Sequence, residues 1–302
     1  MEEKVIEVKN FRKTYGNFVA VDGISFEVHR GEIFGLLGPN GAGKTSTLET
    51  LEGLRQPDGG ALNILGIDPS REMRKLVKLI GVQLQASGLP ASMTPVEAMN
   101  FFCSYHGVAP RYDLLERLGL QEKKTEQFSG LSTGQQRRLA LALAIAHNPQ
   151  VLFLDEPTAG LDVPSRLELH NMMHELQKDG TTIILATHDM AEAEKMAHRV
   201  AIMLKGKIAA TGTPAQLTAT GEGLTKISVS SEQAILNNNG VIFPGINKHM
   251  ITDEYAVYYS TDPGQSVAAI LDYLKTKNDK LIDLRVERPS LEERFLEITR
   301  DN

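Results

Sequence analysis

From Lys4 to Val28 apolar and polar positions alternate, in Val5-Ile6-Glu7-Val8 and again through Ala20-Val21-Asp22-Gly23-Ile24-Ser25-Phe26-Glu27-Val28. A period of two places one set of side chains on each face, so the spacing predicts antiparallel strands that meet at the turn-like Tyr15-Gly16-Asn17. After the polar turn His29-Arg30-Gly31-Glu32, the unbroken run Ile33-Phe34-Gly35-Leu36-Leu37 predicts a central strand buried on both faces. A glycine-rich loop follows, then a helix from about Lys44 to Leu54. Gln56-Pro57-Asp58-Gly59-Gly60 stops that helix, because Pro and Gly both break it, and a further strand is expected from Gly60 to Gly66.

Apolar residues return at helical spacing from about Ala86 to Lys124, which predicts a helical insertion placed at about residues 86–134. The Ala- and Leu-rich stretch Gln135 to Asn148 is again helical and ends before Pro149, since the residue preceding a proline disfavours the α conformation. Two buried strands, Val151 to Leu154 and Thr182 to Ala186, flank the amphipathic stretch Arg166 to Lys178, an α/β alternation. Small, turn-prone residues at Thr220-Gly221-Glu222-Gly223 suggest a boundary, giving an expected first domain of residues 1–220 and a second of 221–302. The second is expected to be a small α+β unit, with strands at Lys226–Ser230, Tyr255–Ser260 and Lys280–Glu287 and helices at Gln265–Lys277 and Leu291–Thr299.

Composition narrows the class. The 302 residues suit two domains, and 41% hydrophobic with 23% charged residues is an ordinary globular balance. A formal net charge of −6 argues against steering to nucleic acid or an anionic membrane by bulk positive charge, so no nucleic-acid partner is expected. The single cysteine, Cys103, cannot form an internal disulfide or a cysteine-based zinc site, which fits a reducing compartment. The first residues lack a secretory signal, and no uncharged apolar stretch of about 18 residues occurs, so any membrane connection is expected through a partner.

Gly38-Pro39-Asn40-Gly41-Ala42-Gly43-Lys44-Thr45 fits G-x-x-x-x-G-K-[ST] between an expected buried strand and an expected helix. There, backbone N–H groups and the positive end of a helix dipole converge on phosphate oxygens, Lys44 neutralises charge and Thr45 offers its hydroxyl to Mg²⁺. Val151-Leu152-Phe153-Leu154-Asp155-Glu156 places two acids at the carboxyl edge of the sheet beside that loop. Asp155 is the candidate Mg²⁺ partner, and Glu156 the candidate base for a water attacking the γ-phosphate. These two motifs also suit nucleotide kinases, GTPases and helicase-like motors.

Leu131-Ser132-Thr133-Gly134-Gln135 separates them. It opens a long helix with hydroxyl and N–H groups able to meet an anion, and the chain at this point closely resembles the ATP-binding-cassette (ABC) ATPases, whose LSGGQ signature it matches at four of five positions. Thr133 stands where the family has the first of two glycines. The resemblance covers about residues 4–220 and implies a P-loop ABC ATPase domain with a mixed sheet core, an antiparallel β subdomain and the helical insertion, followed by the small α+β domain. It further implies that Tyr15 stacks on adenine, that Gly38, Asn40, Gly41, Ala42, Gly43, Lys44, Thr45 and Ser46 bind ATP, and that Thr45, Asp155 and Gln85 serve Mg²⁺. Gln83 is a rival to Gln85, though the family's spacing from Ile80-Gly81 favours Gln85. Asp162, in Ala159-Gly160-Leu161-Asp162, would communicate between subunits, and His188 would be the switch histidine, catalytic with Glu156 and Gln85. Ser132, Thr133, Gly134 and Gln135 of one subunit would contact ATP held by another, in a head-to-tail dimer of this chain with itself or a related ATPase subunit.

Each residue also has a plainer role. Tyr15 is a turn aromatic, Gln85 a loop amide, His188 a strand-end histidine, and Asp162 a cap for the helix starting near Val163-Pro164. Cys103, His106, His147, His170 and His174 show no metal-like grouping and read as packing or surface residues. The tail Pro289-Ser290-Leu291-Glu292-Glu293-Arg294-Phe295-Leu296 resembles the ending of ATP-binding subunits of ABC-2-type exporters; it is also an apolar stripe at Leu291, Phe295 and Ile298. The resemblance therefore implies an ATPase that powers export through a separate polytopic membrane permease, peripheral on the cytoplasmic face. A soluble clamp on ribosomes or DNA and a nucleotide-gated scaffold are the alternatives.

Overall fold

The structure, a computed structural model, describes residues 3–85, 88–219, 224–237, 241–252, 254–288 and 290–300. The chain divides into two compact units, 1–214 and 215–302, a few residues ahead of the boundary expected at Thr220-Gly221; residues 220–223 lie outside the described residues.

In the first unit, β1 (Lys4–Tyr15), β2 (Phe18–His29) and, after β3 (Ile33–Leu37) and α1 (Lys44–Leu51), β4 (Gly59–Ile64) are followed by α2 (Met73–Leu76) and β5 (Ile80–Gln83). Then come α3 (Pro95–His106), α4 (Tyr112–Arg117), α5 (Thr133–Ile145), β6 (Val151–Asp155), α6 (Val163–Lys178), β7 (Thr182–Thr187), α7 (Met190–Met196), β8 (Arg199–Leu204) and β9 (Lys207–Gly212). Antiparallel β2-β1-β4 form one sheet, and β5-β6-β7-β3-β8-β9 another, parallel except for β9. The parallel pairing of β3 with both β7 and β8 explains why every residue of β3 is buried and its sequence apolar throughout. Gly35 sits in β3 because a Cβ there would fall 2.8 Å from Val200 Cγ1.

One apolar core joins the two sheets: Phe11 and Phe26 from the antiparallel sheet meet Phe34, Phe153 and Ile184 from the parallel one, with Leu48 and Leu51 of α1 among them. Phe26 stacks on Phe34 at 5.4 Å. Burying each such side chain contributes about 1.5–3 kcal/mol, so α1 is held as part of the core and not as an isolated helix. The stretch expected as a helical insertion carries α3 and α4 and two short 3₁₀ turns, Gln121–Lys123 and Phe128–Gly130; residues 86 and 87 lie outside the described residues. Thr94 caps α3 with Glu97 in a reciprocal capping box.

The second unit holds α8 (Pro214–Ala219), whose first residue is the last of unit one, then β10 (Thr225–Ser231), β11 (Ile246–Ile251), β12 (Ala256–Ser260), α9 (Pro263–Thr276), β13 (Leu281–Glu287) and α10 (Leu291–Arg300). Its sheet is antiparallel, ordered β11-β12-β10-β13, with Ile270 and Leu274 of α9 packed on Ile227, Val229 and Tyr258. Among the described residues no helix is long and apolar enough to cross a membrane.

Candidate functional site

Residues 38–43 turn directly from the end of β3 into α1, so the loop lies at the carboxyl edge of the parallel sheet, where β6 and β7 also end. Gly43 caps α1 at φ 101°, and a Cβ there would come 2.5 Å from the Ala20 carbonyl oxygen, so both conformation and space require glycine. Lys44 is 5% exposed and folds back on the loop, donating from Nζ to the carbonyls of Gly38 (2.7 Å) and Pro39 (3.2 Å). Burial pulls its pKa down from the usual lysine range, opposed by the charges of Glu156 and Asp155.

Asp155, the last residue of β6, accepts at Oδ2 from Thr45 Oγ1 at 3.0 Å. Its Oδ1 is buried with no hydrogen-bond partner among the described residues, and burial raises the carboxyl above its ordinary range. A carboxylate with one free oxygen beside a hydroxyl matches the hard oxygen donors that Mg²⁺ takes together with phosphates and water, so the residues present fit that ion. Glu156 follows in the left-handed region at φ 48°, its N–H donating to Ala186 O at 2.9 Å, a conformation that costs a non-glycine residue on the order of 1 kcal/mol. The turn aims its carboxylate at two partners: Oε1 is 2.8 Å from His188 Nδ1 and 3.9 Å from Lys44 Nζ. His188 reaches it from just beyond β7, its side chain 52% exposed.

A cavity of about 160 Å³ is lined by Tyr15, Asn40, Gly41, Gly43, Lys44, Thr45, Ser46, Gln85 and Glu156, together with Phe18 and Ala20. Of the expected ATP-binding residues, Gly38 and Ala42 are buried behind this lining, Gly38 accepting the bond from Lys44. Exposed Tyr15 has its hydroxyl 3.4 Å from Ser46 Oγ and lies under two cations, Lys13 Nζ at 5.4 Å and Arg55 at 5.8 Å from the ring centre. The two glutamines part company. Gln85 lines this cavity, whereas Gln83 is 1% exposed and lines a separate groove.

The segment Ser132–Gln135 is not among the residues lining the cavity. Ser132 caps α5: Oγ accepts from Gln135 N (3.2 Å), and Gln135 Oε1 accepts from Ser132 N (2.9 Å). Thr133 occupies the first helical position, and its φ is not positive, so its Cβ brings no backbone strain to the place where LSGGQ has glycine. Gly134 faces α6, where a Cβ would stand 3.1 Å from Ser165 Oγ. Asp162 is exposed and caps α6 by accepting from Ser165 N at 3.1 Å.

Sequence reasoning passed over two features. Phe18 and Ala20 line the cavity from the start of β2, and the signal was an aromatic directly across the turn from Tyr15. The segment behind Glu156 is held by a buried triad, in which Thr158 Oγ1 donates to Glu192 Oε1 (2.6 Å) and His170 Nε2 lies 3.0 Å from the same oxygen. His170 therefore ties α6 to α7 through Glu192, more than a packing role.

Residues 21–159 match the family model described as ABC transporter. The chain is 36% identical to the Nod factor export ATP-binding protein I of Paraburkholderia xenovorans (strain LB400), over 99% of this chain and 98% of that protein. The chain belongs to the ABC transporter family. It is an ATPase subunit of that family. A second ABC relative, the probable multidrug ABC transporter ATP-binding protein YbhF of Escherichia coli (strain K12), is 36% identical over 78% of this chain, which spans 41% of YbhF's length. Among solved structures, the ATP binding subunit of an ABC transporter superposes with a TM-score of 0.66 at 26% identity, covering 70% of this chain and 91% of that one. The residues matched by the family model, 21–159, lie within the first unit.

Proposed function

We propose that this chain is the ATP-binding and ATP-hydrolysing subunit of an exporter, powering movement of a substrate through a separate membrane permease. The observation that carries the reading is the convergence at one sheet edge of Thr45 with Asp155 and of Glu156 with both His188 and Lys44, each pair within hydrogen-bond or ion-pair reach. The names of the relatives, one an export protein and one a multidrug protein, support export; neither describes a clamp on ribosomes or DNA.

Phosphate oxygens take the place of the Gly38 and Pro39 carbonyls as partners of Lys44, while the N–H groups of the loop and the α1 N-terminus face the same anion. Tyr15 stacks on the base. Thr45, Asp155 and Gln85 would hold Mg²⁺, which when bound neutralises charge on the β- and γ-phosphates. Glu156 accepts a proton from the attacking water, and His188 fixes its carboxylate and reaches toward the γ-phosphate. Ser132 Oγ, already accepting from Gln135, keeps its O–H to donate to a phosphate held by a second subunit, and the α5 dipole points the same way. Thr133, Gly134 and Gln135 line that contact, and Asp162 carries the signal across the dimer. The helical insertion and Gln85 pass motion to the permease, so the chain works on the cytoplasmic face of the membrane.

The test is capture from the native cell. Tagged Glu156→Gln protein, extracted from membranes in mild detergent with MgATP, brings down one stoichiometric polytopic membrane protein. Recovery of ribosomes or DNA-bound proteins, and nothing from the membrane, contradicts the exporter reading.

A further inference from the structure

The turn that carries Glu156 is strained and has to be held from outside. Glu156 stands at φ 48°, and a non-glycine residue keeps such a conformation only where its surroundings over-determine it. Two bonds close the turn from within, Ala159 N to Glu156 O (3.2 Å) and Leu161 N to Thr158 O (3.1 Å), while Glu156 N to Ala186 O fastens its start to β7. Pro157 brings no N–H, and Thr158 then reaches out of the segment: its Oγ1 donates to Glu192 Oε1 at 2.6 Å.

Glu192 is tied to the other half of the site as well. It lies in the first turn of α7, just beyond His188-Asp189, and its N–H donates to the Asp189 Oδ1 cap at 3.0 Å. Asp189 N in turn donates to Thr187 Oγ1, at the end of β7, at 3.0 Å. One residue therefore holds the segment presenting His188 by its backbone and the segment presenting Glu156 by its carboxylate. His170 Nε2, reaching in from α6 to 3.0 Å from the same Oε1, fixes that carboxylate in place.

The network is built for geometry more than for stability. Glu192 Oε2 is buried with no hydrogen-bond partner among the described residues, and a buried carboxylate satisfied at one oxygen only costs stability. What it maintains is a second link between the same two segments that Glu156 and His188 join. The links differ in their surroundings: the side chain of His188 is 52% exposed and competes with water, whereas Thr158, His170 and Glu192 are each at most 5% exposed. The exposed pair takes its spacing from the buried one.

We propose that Glu192 and Thr158 are positioning residues for ATP hydrolysis, their buried bond setting the spacing of the two segments so that the Glu156 carboxylate meets His188 and faces the attacking water. The proposal rests on the reading of Glu156 as the base. Neither residue lines the nucleotide cavity, so they act through Glu156 and not on ATP.

The test compares full-length wild type with Thr158→Val, which keeps the shape and removes the hydroxyl, with Thr158→Ala, which removes it without burying a new methyl group, and with Thr158→Ser, which restores the donor. Melting temperature, equilibrium ATP binding and single-turnover ATP hydrolysis are read on each. Thr158→Val and Thr158→Ala hydrolyse about tenfold more slowly with ATP affinity within about twofold of wild type, and Thr158→Ser recovers most of the rate. Thr158→Val is then placed in Glu156→Gln, where no base remains to aim, and changes the residual rate by less than about twofold. Equal slowing by Thr158→Val with and without Glu156 marks a structural role and overturns the proposal. So does a wild-type rate in Thr158→Val and Thr158→Ala while Glu156→Gln alone is slow. A wild-type rate in Glu156→Gln is a different failure: it removes the base itself and takes this inference with it.

Discussion

Glu156 Oε1 and His188 Nδ1 stand 2.8 Å apart, the acid from the end of β6 and the histidine from the end of β7. The two strands are neighbours in the sheet, so the pair is fixed by parallel pairing and by the left-handed turn at Glu156. The carboxylate proposed as the base is thereby held in one orientation. His188→Ala removes a hydrogen bond to a charged group, a loss of about 1.5–3 kcal/mol if realised in the transition state, so kcat for ATP falls about 10- to 100-fold while ATP affinity changes far less. Steady-state hydrolysis and equilibrium binding, measured on the same preparation, check the split.

Lys44 supplies the buried cation of the site. It is held by two loop carbonyls and lies 3.9 Å from Glu156. Charge-assisted bonds to phosphate depend on it, and Lys44→Ala weakens nucleotide binding about 10- to 100-fold. Titration calorimetry with ATP reads this directly; wild-type affinity would show that the loop N–H groups alone hold the triphosphate.

Glu52 makes stability depend on pH in the direction opposite to a salt-bridged acid. Its carboxyl is pushed from an ordinary 4.5 up to about 8 by burial. Below the ordinary value both folded and unfolded chains hold the proton, and the group makes no pH-dependent contribution. Between the two values only the folded chain holds it, so unfolding releases a proton and stability falls as pH rises, until the folded chain also ionises near 8. Glu52→Gln, which cannot ionise, matches wild type at pH about 4.5 and exceeds it by a few kcal/mol at pH about 8.5. Urea unfolding at the two pH values checks the sign; a gap that closes with rising pH contradicts it.

Much of the first unit was legible because its signals are local. The buried run of β3, the glycines and lysine after it, and the two acids ending β6 declare both the elements and their edge, since a parallel sheet puts every strand end on the same side. β5 and α2 were not legible: each spans four residues, too short for periodicity, and β5 exists because β6 offers it a parallel edge. β8 carries an apolar run as clear as that of β6, and only its pairing with β3 shows where it belongs. β11 was hidden because its residues are mostly exposed and carry no alternation of burial. At the site, the choice between Gln83 and Gln85 turns on where β5 ends: Gln83 is its last, buried residue and lines the groove, whereas Gln85, two residues beyond the strand, lines the nucleotide cavity. Glu52 gave no sign at all in sequence: an acid at a helix end looks solvated until the chain packs α2, β5 and α3 around it.

Glu156→Gln tests the central claim most directly. The substitution keeps the shape of the side chain and removes its ability to take a proton, and the account predicts hydrolysis reduced about 10²- to 10⁴-fold, with ATP still bound and the chain accumulating as a dimer in MgATP on size-exclusion chromatography with light scattering. Turnover at the wild-type rate, with no dimer in MgATP, would contradict the assignment of Glu156 as the base and the nucleotide-bridged assembly built on it.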